Sequence, residues 1–76
     1  MFGEATRKLE LYLEECNILI GDDIIGKTFA NHIHQLQVRL LGSLQSATID
    51  TVCNMEYRLQ ELKLEREDLR YNYKVS

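Results

Sequence analysis

Residues 52–73 read VCNMEYRLQELKLEREDLRYNY, and Val52, Met55, Leu59, Leu62, Arg66, Leu69 and Tyr73 follow one another at spacings of 3, 4, 3, 4, 3 and 4. Apolar residues that recur every three and four positions line one face of a helix, so the stretch predicts an amphipathic helix with a heptad seam. Arg66 interrupts that seam once. Between the seam positions the residues are mostly charged, with both signs mixed. Lys63 and Glu67, four apart, and Glu67 and Arg70, three apart, are helix-surface pairs that contribute ~0.2–0.5 kcal/mol each. A helix over 47–73 is about 40 Å long at about 1.5 Å per residue.

Upstream of this stretch the same spacing recurs twice. Ile25, Phe29, Ile33, Leu36, Leu40 and Leu44 lie at threes and fours and predict a helix over about 22–44. Leu9, Leu13, Cys16 and Leu19/Ile20, with Tyr12 beside them, predict a first helix over about 3–19. Gly21 ends the first stripe, and Asp22 or Asp23 offers an N-cap for the second helix. Gly26 then falls in the first turn of that helix and weakens it by up to ~1 kcal/mol relative to alanine. Gly42-Ser43 through Ser46 marks the second corner. With no proline and four glycines, the chain has too little turn chemistry for a β-sandwich. The expected fold is one all-α domain over 1–76: a small three-helix bundle, or a helical hairpin with a long C-terminal helix.

Size bears on assembly. The chain has 76 residues, 45% of them hydrophobic and 28% charged. A domain this short buries only about 60% of its unfolded surface, so oligomers are common at this size. A first helix of about 17 residues at about 1.5 Å each cannot cover a seam of about 40 Å. The seam from Leu59 to Tyr73 is therefore expected to need another surface, and a second copy of the chain is the simplest one. The interaction stripe expected on these grounds is Val52, Met55, Leu59, Leu62, Arg66, Leu69 and Tyr73, with Arg66 setting register or meeting an acidic group. Another protein docking on the same helix is the other expected partner. Tyr57, Tyr71 and Tyr73 concentrate aromatic surface late in the chain, where a large ring with a polar tip suits an interface.

Charge narrows the classes further. The formal net charge is −3 and the pI about 5.3, without the basic face that nucleic acid requires. Residues 1–53 hold seven acids and four bases, and residues 54–76 hold five of each, so the last segment is charge-dense but neutral. The longest apolar run, Ile18-Leu19-Ile20, is far short of a membrane span, and no signal-peptide pattern is present. Cys16 and Cys53 in such a chain point to a reducing compartment, the cytoplasm. Spacing alone leaves open whether they pair with each other, whether Cys53 pairs with its symmetry mate, or whether both stay thiols.

Three motifs bear on chemistry. Gly21-Asp22-Asp23-Ile24-Ile25-Gly26-Lys27-Thr28 fits G-x-x-x-x-G-K-T and follows Asn17-Ile18-Leu19-Ile20, as the phosphate loop of small GTPases follows a strand. A nucleotide binder also needs a later strand ending in a magnesium-binding aspartate, and the 48 residues after Thr28 read as helix instead. Helix corner is the expectation here. His32, His34, Cys16 and Cys53 could make a zinc set only if His32 and His34 converged, yet residues two apart on a helix point about 200° from one another. No nucleophile, base and orienting group fall at a workable spacing. Neither enzyme activity, cofactor nor metal is expected.

Phe29, His32, Ile33, Arg39, Leu40 and Gly42 together give the pattern F-x-x-H-I-x-x-x-x-x-R-L-x-G. This resembles the first helix of the phosphotransferase-system regulation domain, an all-helical module of bacterial antiterminators and activators. The resemblance implies a signalling domain in which His32 is the phosphoacceptor and Arg39 a structural or phosphate-facing partner. It covers about residues 29–42, and the long heptad segment that follows departs from the family, whose later helices carry another histidine.

Overall fold

A computed structural model describes residues 2–21 and 26–75, with side chains described for 3–21 and 26–72. Three helices form where the apolar stripes lie: α1 (Phe2–Ile20), α2 (Lys27–Ser43) and α3 (Ile49–Val75). A single 3-10 turn, Leu44–Ser46, leads from α2 toward α3. No strand occurs among the described residues, and the three helices pack as a small bundle.

The helix ends correct the expected boundaries. Gly26 is the N-cap of α2, in extended conformation and without a side-chain cap, so it sits outside the helix rather than in its first turn. Asp22, Asp23 and Ile25 lie outside the described residues. The run Asn17–Ile20 is the last turn of α1, not a strand, and the Gly21 amide closes it by donating to the Asn17 carbonyl at 3.3 Å. Leu44 leaves the helix for the 3-10 turn. At the start of α3 the Thr48 hydroxyl accepts from the Thr51 amide at 3.1 Å, and Asp50 adds negative charge to the first turn. That is an N-cap with a favourable helix-dipole partner.

The stripes meet in one core. Leu9, Tyr12, Cys16 and Leu19 of α1 face Phe29, Ile33, Leu36 and Leu40 of α2 and Val52, Met55, Leu59 and Leu62 of α3. No polar or charged residue among those described is buried with them. Burying each leucine contributes ~1.5–3 kcal/mol, which makes this cluster the main source of stability.

Relative placement of the helices matters for the site. α3 runs parallel to α1: Glu4 and Lys8 share a groove with Cys53 and Glu56, and Glu15 shares another with Lys63. α2 runs antiparallel to both and is shifted along them. Asn17, one turn from the end of α1, bonds Gln37 in the second half of α2. The first two turns of α2 therefore extend beyond Ile20 and lie along α3, where His32 meets Glu65. The molecule measures 47 × 16 × 15 Å.

Candidate interaction surface

The packing of α1 and α2 on α3 decides what happens to the predicted stripe. Val52 and Met55 are 6% exposed, Leu59 1% and Leu62 0%, so all four belong to the core of the single chain. The expectation that the seam is uncovered from Leu59 onward is thereby corrected. α1 itself reaches this part of α3, where Glu15 pairs with Lys63 and Leu19 shares a groove with Leu64 and Glu67. α2 packs on the same stretch through His32 and Glu65, and Leu69 is partly buried against the same core. Arg66 is half-buried at the rim, its guanidinium 3.5 Å from Glu67. The Tyr73 side chain lies outside those described.

A different row of α3 faces outward. Tyr57, Leu64 and Tyr71 are seven residues apart and 70%, 67% and 70% exposed. Seven residues is close to two helical turns, so the three stand above one another on one side of the helix. α1 carries a matching pair, Leu11 and Ile18, again seven apart and both exposed. Ile18 and Leu64 line the same groove of about 320 Å³ between the two helices. Leu64 lies outside the apolar seam that the 3,4 spacing marks. The signal was available: Tyr57, Leu64 and Tyr71 repeat the heptad two positions beyond Met55, Leu62 and Leu69.

Charges around this groove are matched within the chain. Lys63 Nζ lies 2.7 Å from Glu15 Oε1 across the helix pair, and Arg66 lies 3.5 Å from Glu67 on α3 itself. Beside them, burial and the adjacent charge and hydrogen bond of Glu56 push the Tyr12 phenol above its ordinary range.

The histidines sit elsewhere. His32 Nδ1 is 3.3 Å from Glu65 Oε2, at an angle that makes no hydrogen bond, and this buried nitrogen has no other partner. A phosphoryl group on His32 would stand beside that carboxylate, a like charge. Arg39, seven residues on, is exposed. His34 points away and pairs through Nδ1 with Gln37 Oε1 at 3.1 Å. Among the described residues no His, Cys, Asp and Glu converge as metal ligands. Both cysteines are thiols, Cys16 buried and Cys53 exposed, and burial followed by the charge of Glu15 pushes the Cys16 thiol up to about 11. Lys27 and Thr28 form the exposed first turn of α2. None of the helices is long and apolar enough to cross a membrane among the described residues.

Comparisons with protein-family models, with curated proteins and with solved structures find no match for this chain.

Proposed function

We propose that this chain is a non-enzymatic interaction protein, a small regulator or adaptor of the cytoplasm, that self-associates through its C-terminal helix. The observation that supports this reading is the outward row Tyr57, Leu64 and Tyr71 on α3. Large apolar side chains aligned at heptad spacing on a helix already packed on its other side have the form of a docking ridge. Tyrosine at both ends of the ridge suits an interface, since its ring supplies area at low entropic cost. In this proposal the row takes over the role expected of the buried seam.

Light-scattering or sedimentation mass across a hundredfold concentration range, with reductant present, tests it. The expected result is a multiple of 8.9 kDa for the unmodified chain and a monomer for Leu64→Glu with unchanged helix content. A monomer at every concentration overturns the self-association reading.

A further inference from the structure

We infer that Leu11 and Ile18 of α1 supply part of the self-association surface, so that a second copy of this chain docks across α1 and α3 together rather than along α3 alone. The inference rests on the self-association reading above and extends it to a helix that reading does not use.

Three observations carry it. The first is placement. Ile18 and Leu64 line one groove, and the two helices run parallel, so stepping back seven residues on each brings Leu11 level with Tyr57. The result is two level ridges on one face, Leu11–Ile18 and Tyr57–Leu64, with Tyr71 continuing the second ridge beyond the end of α1. Of the eight exposed large apolar side chains among the described residues, five stand on these ridges, while Val38 and Leu41 lie on α2 and Ile49 at the start of α3.

The second is area. Taken at their exposed fractions, the five side chains present on the order of 700 Å², close to the ~800 Å² per partner of a standard-size stable interface. The α3 row alone presents on the order of 500 Å² on the same reckoning, which corresponds to the weak end of the range. The two ridges together bring the apolar area nearer to the size of a stable dimer than the α3 row does alone.

The third is charge. The centre of the face is neutralised inside each chain, by Lys63 with Glu15 and by Arg66 with Glu67. A second copy therefore meets a central groove whose charged residues, Glu15, Lys63, Arg66 and Glu67, already have partners, which avoids burying an unpaired ion there. A closed two-fold arrangement uses the same patch on both copies, so each ridge contributes twice.

Three full-length variants test the inference by mass against concentration: Ile18→Glu, Leu64→Glu and, on the opposite helix, Val38→Glu. Each changes an exposed residue, and circular dichroism checks that the helices remain. The expected result is a dissociation constant raised at least tenfold by Ile18→Glu and by Leu64→Glu, with Val38→Glu like the unmodified chain. Leu11→Glu, one ridge position away, should repeat the Ile18 result and stands in for it if that variant unfolds. Unchanged self-association in folded Ile18→Glu and Leu11→Glu, with Leu64→Glu monomeric, overturns the α1 contribution and leaves self-association through α3. A monomeric unmodified chain, or a Leu64→Glu variant that associates normally, overturns the underlying reading itself.

Discussion

Lys63 Nζ and Glu15 Oε1 are 2.7 Å apart, a direct ion pair between α3 and α1 from residues 48 positions apart in sequence. Each side chain keeps about a third of its surface in water, so the pair is screened, and exposed pairs contribute ~0.2–1 kcal/mol. A double-mutant cycle with Glu15→Gln and Lys63→Met, followed by urea denaturation, should give a coupling in that range that shrinks in high salt. A coupling of several kcal/mol would mean that the pair is better shielded than its exposure implies.

Two leucines of α3, two positions apart, should behave in opposite ways. Leu62 is fully buried, and Leu62→Ala should cost ~2–5 kcal/mol by leaving a cavity against α1 and α2. Leu64 is 67% exposed, and Leu64→Ala should change the stability of the single chain by no more than ~0.5 kcal/mol. Chemical denaturation at a concentration low enough to hold the chain monomeric separates the two effects. Similar costs at both sites would contradict the helix phase described above.

Thr48 caps α3 through the Thr51 amide. Thr48→Ala should destabilise the fold by ~1 kcal/mol, whereas Thr48→Asp or Thr48→Ser should retain most of the capping. Thermal unfolding of the three variants gives the comparison, and equal melting temperatures for alanine and aspartate would show that the cap contributes nothing.

The cysteines should differ in reactivity. Exposed Cys53 should react with a thiol reagent in the native protein, while Cys16 should react only on unfolding. The Cys16 thiol is pushed from an ordinary 9.0 up to about 11, so between those values the native state retains a proton that the unfolded chain has lost. Stability from this group is complete below about pH 9 and is lost as pH rises toward 11. The upward shift of Tyr12 acts in the same direction above its ordinary 10.0. Denaturation midpoints at pH 8 and pH 10.5 should therefore fall with pH in the parent and fall less in Cys16→Ala.

Much of the fold was legible because each helix carries its own apolar periodicity. Leu9 to Leu19, Phe29 to Leu40 and Val52 to Leu62 each fall on one side of a helix by spacing alone; all three rows form the core, including Val52 to Leu62, which was expected to serve as an interaction stripe. What the spacing could not reveal is how far one helix slides along another, which depends on contacts between residues distant in sequence. α1 lies alongside α3 as far as Glu15 against Lys63 and beyond, and this register buries Leu59 and Leu62 where helix lengths alone left them open. The outward row on α3 was missed for a related reason. Tyr57 and Tyr71 are fourteen residues apart, and only with Leu64 midway between them do they form a row on one side of the helix.

The staggered ends give the molecule a gradient of permanence along its length. Around Leu59 and Leu62 the core draws on all three helices, but beyond Ile20 the packing is reduced to α2 against α3. Backbone amides at 66–72 should therefore exchange with solvent deuterium through small, frequent openings, while those at 52–62 exchange only when the whole bundle opens. Tyr71 stands at the loosest end of this scale, so whatever binds there also slows the exchange of the turns beneath it, and occupancy can be read as protection.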